Sequence, residues 1–287
     1  MPLLVSADGN VVLDVPAFEA GDTEPFESCS TGWHIEIIGT YVRIFRTCKG
    51  RPPPPQPDKR AIGAWSIQSR MRMLRFVNSI DYSRLGPSLF VTLTYPDHIR
   101  RNEYPQRTQD RNVFLRYVET YLGRHVSCLW RIEWEERQSG AYTGKLAPHL
   151  HLMLFNVNFL SWQRVRMWWR KSIGAGPGPL VTETKRIYNE DGACRYLSKY
   201  VSKYRSLDIL TYLNSGIQFG RHWGCTRVEL VPICPPRVQR ELLGEDVERV
   251  FAYGQHRYGW RHRVESHGFT LFGKKFVDAF DRTFGSY

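Results

Sequence analysis

The sequence predicts an α+β fold, and three observations predict it. Residues 88–95 (SLFVTLTY) form a β-branched and aromatic strand, residues 129–137 (LWRIEWEER) alternate apolar and polar side chains, and residues 148–155 (PHLHLMLF) set leucines on one face and histidines on the other. Amphipathic helical segments stand between and after these strands, at residues 112–122, 161–172 and 193–204, where apolar positions recur with helical spacing. The second and third strands are separated only by a Gly-containing loop, residues 138–147, which makes them antiparallel neighbours in a long hairpin.

Taken in chain order, residues 1–40 hold seven acids and no Lys or Arg, so the remainder carries 40 basic against 21 acidic residues. Residues 1–31 show no periodicity and are expected to be partly disordered. Residues 33–45 (WHIEIIGTYVRIF) read as one or two strands broken near Gly39. Residues 51–57 (RPPPPQP) continue neither strand nor helix and form a stiff linker. Residues 66–77 form a basic amphipathic helix. Its Ile67, Met71, Leu74 and Val77 share helical spacing, with Arg70, Arg72 and Arg75 elsewhere on the wheel. That basic side suits a phosphate backbone as well as plain solvent.

The helix at 161–172 (SWQRVRMWWRKS) is basic, carries three tryptophans and stops at the GAGPGP of 174–179. A strand is predicted at 180–187, the helix of 193–204 follows, residues 220–224 (GRHWG) mark a turn, and 227–233 form the last strand. Pro235-Pro236 then closes the domain. Residues 237–287 read as a helix, an Arg/His/aromatic stretch, a short strand at 269–272 and a final helix. The expected division is an acidic extension with linker at 1–60, a main domain at 61–236 and a C-terminal extension at 237–287.

A strongly basic body with nine Trp, fifteen Tyr and fifteen Phe offers cations for phosphates and rings for unstacked bases. Six cysteines without a CxxC pair or zinc spacing read as free thiols of a reducing compartment. The N-terminus lacks the basic region of a signal peptide, and no apolar run approaches a membrane span. A cytosolic protein is expected.

Two segments carry the chemistry. On the strand at 148–155, Leu150, Leu152 and Leu154 share one face, and His149 and His151 the other. Pro148 stands at the strand's start, where no ladder N–H is needed. Two imidazoles one residue apart form a pincer for one metal ion, although such a pair is also ordinary on a solvated strand face. The neighbouring strand would bring Glu133 or Glu135 to the same face. In ACRYLSKYVSKY (193–204), Tyr196, Lys199, Tyr200 and Lys203 fall on one side of a helical wheel. Ala193, Leu197, Val201 and Tyr204 fall on the apolar side. Tyr196 and Tyr200 then stand about 6 Å apart along the axis, one turn apart. Phenols flanked by ammonium groups suit attack on a phosphodiester, because the lysines favour phenolate and offset the substrate's charge. The plainer alternative is an amphipathic helix with interfacial tyrosines.

Together these segments resemble the HUH replication initiators, specifically the two-tyrosine rolling-circle replication proteins of single-stranded DNA phages, above all the filamentous phages. The motifs stand in the family's order: FVTLTYP at 90–96, PHLH at 148–151 and YLSKYVSK at 196–203. Ser69-Arg70 and Leu74-Arg75 upstream and Gly220-Arg221 with Trp223-Gly224 downstream also look familial. One departure stands out. The family's glutamate and glutamine, two residues apart, often lie almost directly before the histidines. Here Glu133-Trp134-Glu135-Glu136-Arg137 is followed by a ten-residue insertion.

The resemblance implies a central antiparallel sheet of the RRM/ferredoxin-like kind with flanking helices. It implies metal ligation by His149, His151 and Glu133, with Glu135 at the glutamine position, and Mn²⁺ or Mg²⁺ as cofactor. Tyr196 and Tyr200, assisted by Lys199 and Lys203, would be the nucleophiles. DNA contacts are expected from Arg70, Arg72, Arg75, Thr92, Thr94, Arg164, Arg166, Arg170, Lys171 and Arg221. The expected partner is single-stranded DNA at a replication origin, with a hairpin, together with a host helicase and polymerase in the bacterial cytoplasm and no membrane.

The implied activity is metal-dependent nicking and strand transfer that starts and ends rolling-circle replication through a 5′-phosphotyrosine link. Two alternatives stand beside it: a two-tyrosine transposase of the same superfamily, and a non-catalytic single-strand binding protein. Residues 268–275 (GFTLFGKK) nearly spell a phosphate-binding P-loop, but Lys275 replaces the hydroxyl residue that would hold Mg²⁺, so no helicase is expected in this chain.

Overall fold

In the computed structural model the described residues are 4–5, 11–13, 33–46, 67–96, 103–136, 143–144, 146–178, 180–187, 219–242 and 268–284, with a few positions between 245 and 252. Along the chain the described elements begin with strands β1 (Leu4–Val5), β2 (Val11–Leu13), β3 (Trp33–Ile38) and β4 (Tyr41–Arg46), then helix α1 (Ile67–Ser79), β5 (Ser88–Thr94) and α2 (Tyr104–Leu122). They continue with β6 (Cys128–Glu136), β7 (Leu146–Leu154), α3 (Trp162–Ile173), β8 (Thr182–Ile187), β9 (Trp223–Thr226), β10 (Pro236–Leu242), β11 (Gly268–Phe272) and α4 (Lys274–Phe284). Two antiparallel sheets with helices make this an α+β protein, as expected.

The chain forms two compact units. One comprises residues 1–57, 74–80 and 233–287. Its sheet has the order β1-β2-β11-β4-β3-β10. The segments at the two ends of the chain, separate extensions in the sequence reading, thus supply strands to one sheet. β3 and β4 form a tight hairpin whose turn residue Gly39 has φ +52°. A Cβ there would collide with the Asn78 carbonyl, so the site needs glycine. Thr40 closes the same corner, its N–H donating to the Asn78 carbonyl (2.9 Å) and its hydroxyl to Asn78 Oδ1 (2.7 Å).

Residues 237–242, expected to be helical, instead belong to a strand that pairs with β3 from Pro236 to Leu242. Pairing with β3 overrides a sequence of ordinary helix propensity. The near-P-loop at 268–275 is no loop: residues 268–272 are ladder positions of β11 against β4.

The other unit comprises residues 58–73 and 81–232. Its sheet runs β8-β5-β7-β6-β9, all neighbours antiparallel. The alternation of β5, β6 and β7 decides its two faces. Val91, Leu93, Trp130, Ile132, Leu150 and Leu152 point to one side and join Phe114 and Val118 of α2 and Val165, Trp168 and Trp169 of α3 in the core. Helix α2 begins ahead of the 112–122 pattern, as expected, at Tyr104 with Pro105 in its first turn, and ends on Gly123 in the left-handed region, the usual asymmetry of helix ends. Ser161 caps α3, its hydroxyl oxygen accepting from the Arg164 N–H.

The last strand is displaced from its expected place. β9 occupies Trp223–Thr226, overlapping the end of the expected turn, and Val228–Leu230 form a 3-10 turn after Arg227 at φ +50°. Gly224 permits pairing there: it lies opposite Trp130 in the β6–β9 ladder, where any Cβ would overlap the indole.

Candidate metal and nucleic-acid site

The face of β5, β7 and β6 opposite the core carries Thr92 and Thr94, His149 and His151, and Arg131, Glu133 and Glu135. Register places Thr92 opposite His151 and Thr94 opposite His149 on one flank. On the other flank Arg131 lies opposite His151 and Glu133 opposite His149. The side chains then lean along the strands. His151 Nε2 meets Glu133 Oε2 at 2.9 Å, and His149 Nε2 lies 3.8 Å from Glu135 Oε2. Each imidazole therefore meets the carboxylate one pleat away from its direct cross-strand partner, within diagonal reach on a sheet.

The other ring nitrogens turn to β5. Thr92 Oγ1 is hydrogen-bonded to His151 Nδ1 at 3.2 Å, and Thr94 Oγ1 to His149 Nδ1 at 3.1 Å. Two parallel rows cross three strands: Thr92–His151–Glu133 and Thr94–His149–Glu135. Arg131 extends the first, its Nη2 3.9 Å from Glu133 Oε1.

The rows differ in access. The His151 and Glu133 side chains are each 9% exposed, against 23% for His149 and 50% for Glu135. His151 sits among Met73, Phe90, Arg131 and Met153, its ring stacked on Phe90 at 5.7 Å. A ligand from solvent reaches this face at the His149–Glu135 end.

Among the described residues, no three His, Cys, Asp or Glu side chains converge as a ready metal cluster. The donors nevertheless suit a divalent ion: two imidazole nitrogens with their far sides already hydrogen-bonded, and carboxylate oxygens beside them. Mixed nitrogen and oxygen ligation of this kind suits Mn²⁺.

Behind β6 lies a cluster that the sequence reading did not single out. Arg107 is 2% exposed, lies over the Trp134 ring at 4.8 Å and donates through Nη2 to the Phe219 carbonyl at 3.1 Å. Arg111 lies over Trp130 at 4.1 Å, and the Tyr95 hydroxyl donates to Asp110 at 3.1 Å. Burial lowers Arg107 to about 10. His222 stacks on Phe219. Burial and then the nearby charges of Arg131 and Arg107 push its pKa down to about 4, so it is neutral in the folded protein at pH 7. An Arg-x₃-Arg spacing in an amphipathic helix was the available signal.

The expected DNA-contact residues are divided by burial. Arg70 is 5% exposed, which removes it from the phosphate-facing set. Arg75 is partly buried and donates to Thr270. Arg72 and Arg221 are exposed. Helix α3 packs on the core face, so Arg164, Arg166, Arg170 and Lys171 stand across the sheet from the histidines. There Arg164 lies over the exposed Tyr121 ring at 4.0 Å, and Arg166 over the exposed Trp162 at 5.7 Å. Arg170 is tied to the Gly178 carbonyl at 2.6 Å, and Lys171 is exposed. Tyr196, Lys199, Tyr200 and Lys203 lie outside the described residues.

Residues 88–205 match the family model of the replication-associated protein ORF2/G2P. That segment takes in β5, β6, β7 and the residues of the tyrosine motif. The chain is also 28% identical, over 156 residues, to the replication-associated protein G2P of Pseudomonas phage Pf3; the match covers 52% of this chain and 51% of the phage protein. The chain thus spans about half the length of the curated relative it matches. The resemblance to filamentous-phage replication initiators holds on both comparisons. No solved structure matches. No helix among the described residues is long and apolar enough to cross a membrane.

Proposed function

We propose that this chain starts and ends rolling-circle replication by nicking single-stranded DNA at an origin and rejoining it. The observation that carries the proposal is the pair of histidines on β7, each with Nε2 beside a carboxylate of β6, inside the segment that matches the replication-associated family. Those donors, His149, His151 and Glu133 with Glu135 at the rim, would hold Mn²⁺ or Mg²⁺. A bound ion would supply positive charge to a phosphate oxygen of the scissile bond.

The remaining chemistry belongs to side chains of the chain itself. The phenolic oxygen of Tyr196 or Tyr200 attacks phosphorus, and the 3′ oxygen leaves as a free hydroxyl that primes synthesis. The 5′ phosphate stays on the tyrosine. Lys199 and Lys203 favour the phenolate and offset phosphate charge. The second tyrosine attacks at the regenerated origin, so the first can hold the 5′ end until rejoining. Exposed Arg72 and Arg221 would contact phosphates near the histidine-bearing unit's surface, and the Arg–aromatic pairs Arg164–Tyr121 and Arg166–Trp162 would stack unpaired bases across the sheet. A host helicase and polymerase in the bacterial cytoplasm would unwind and extend.

The test is incubation of the full chain with circular single-stranded DNA bearing the origin, with and without Mn²⁺. A covalent protein–DNA adduct that requires the ion, with the phosphotyrosine mapped to Tyr196 or Tyr200 by mass spectrometry, is expected. DNA binding without any adduct would leave a binding protein and no nickase.

A further inference from the structure

We propose that Thr92 and Thr94 are positioning residues that aim the two imidazoles: each hydroxyl holds one Nδ1 and thereby turns the opposite ring nitrogen toward the carboxylates of β6. The inference rests on the metal-site part of the proposed function and reassigns two side chains that the sequence reading gave to DNA. Thr92 and His151, like Thr94 and His149, are direct cross-strand partners. Their hydroxyls stand 3.2 and 3.1 Å from Nδ1. The Thr-x-Thr of β5 is therefore the counterpart of the His-x-His of β7, one hydroxyl per ring at the same spacing.

A hydroxyl suits this position because it both donates and accepts. When Nε2 carries a proton and gives it to a carboxylate, as the 2.9 Å contact between His151 and Glu133 allows, the neutral ring presents a bare Nδ1 and the threonine donates. When Nε2 must offer its lone pair to a cation, Nδ1 carries the proton and the threonine accepts. A carboxylate at this place would serve only the second state. The stiff χ1 of a β-branched residue keeps the oxygen in place. Ring-orienting partners of this kind typically change metal affinity by about 10–100-fold when removed.

The two threonines are not equivalent. His151 is also stacked on Phe90 and lines a small cavity with Met73 and Met153, whereas His149 is more open. Thr94 therefore has more to hold than Thr92.

The experiment uses the full chain with Thr92→Val, Thr94→Val and the corresponding serine variants. Three quantities are read: Mn²⁺ affinity by calorimetry, ring-nitrogen NMR shifts of His149 and His151 in metal-free protein, and single-stranded DNA affinity without metal. The valine variants are expected to lose about 10–100-fold in Mn²⁺ affinity, with the larger loss at Thr94. Their ring-nitrogen shifts should move, and their metal-free DNA affinity should match that of the unmodified chain. Serine should restore the affinity to within a few-fold.

Unchanged Mn²⁺ affinity and unchanged ring shifts in both valine variants would overturn the inference. So would a loss of DNA affinity with the ring shifts unmoved, which would make the threonines DNA contacts. If the unmodified chain binds no Mn²⁺, the metal reading fails and the ring shifts alone decide: movement on Thr→Val supports the positioning role, and no movement overturns it.

Discussion

The two faces of β5, β7 and β6 are built from the same residues in alternation, yet they obey different rules. One face presents Val91, Leu93, Ile132, Leu150 and Leu152, all buried against α2 and α3. The other presents two threonines, two histidines, two glutamates and an arginine, joined in rows by hydrogen bonds and ion pairs, beside a buried apolar patch of Phe90, Leu129 and Met153. A buried apolar face is non-directional: it gains from area and loses when atoms are removed. A polar face inside a sheet depends on orientation, because each ring nitrogen needs its own partner. The lesson is that stability and chemistry are separable here by a single step along a strand.

The largest effect expected from breaking the polar face is on cleavage. His149→Ala or His151→Ala should lower nicking by about 10³-fold or more, given the several kcal/mol that a metal supplies to phosphate cleavage. Metal-free DNA affinity, measured by fluorescence anisotropy, should stay within a few-fold. The thermal midpoint should stay close to that of the unmodified chain for His149→Ala and fall modestly for His151→Ala, whose ring is buried against Phe90 and beside Glu133. The mirror experiment is Leu152→Ala, at a residue with no exposed surface. It should cost about 2–5 kcal/mol in denaturant unfolding, while the folded fraction keeps its metal affinity. A stability loss from the histidine variants as large as that of Leu152→Ala would blur the distinction between the faces.

His222 tests the edge of the arrangement. Its folded pKa of about 4 lies below the ordinary histidine value of 6.5. Above pH 6.5 both folded and unfolded chains hold it neutral, and its burial costs no protonation energy. As pH falls from 6.5 toward 4, the unfolded chain takes up a proton that the folded one resists. Stability should fall by roughly 3 kcal/mol across that window. Urea titrations at a series of pH values should show the decline, and His222→Gln should flatten it.

Smaller effects sharpen the polar face itself. Glu133→Gln should weaken Mn²⁺ binding about tenfold more than Glu135→Gln, since Glu133 is buried 2.9 Å from His151 while Glu135 is half exposed and 3.8 Å from His149. Calorimetric titrations that rank the two the other way would move the third ligand to the rim. The smallest effect is at α1. Arg72→Ala should reduce the salt dependence of DNA binding by about one counterion. Arg70→Ala should instead lower the unfolding midpoint, because that side chain is buried.

Much of this was legible in the sequence. Period-two alternation puts His149, His151, Glu133 and Glu135 on one face, and the spacing from Glu136 to Leu146 allows the hairpin that joins β6 to β7. Alternation could not reveal that the carboxylates reach one pleat along, because that depends on register and side-chain lean. Nor does a linear pattern say that Thr92 and Thr94 stand opposite the histidines, since β5 reaches β7 only through tertiary pairing. Basic residues were countable, but burial was not: Arg70, Arg107, Arg111 and Arg131 are all interior. The strand at Pro236–Leu242 was hidden for the same reason, its partner β3 being about two hundred residues away in sequence.

The most direct test of the polar face as the chemical face is one gel. The full chain and its His149→Ala/His151→Ala variant are incubated with circular single-stranded origin DNA and Mn²⁺, and covalent protein–DNA adducts are resolved under denaturing conditions. The account predicts an adduct with the unmodified chain and none with the double variant, at equal DNA affinity and with the double variant still folded. An undiminished adduct in the double variant would contradict it.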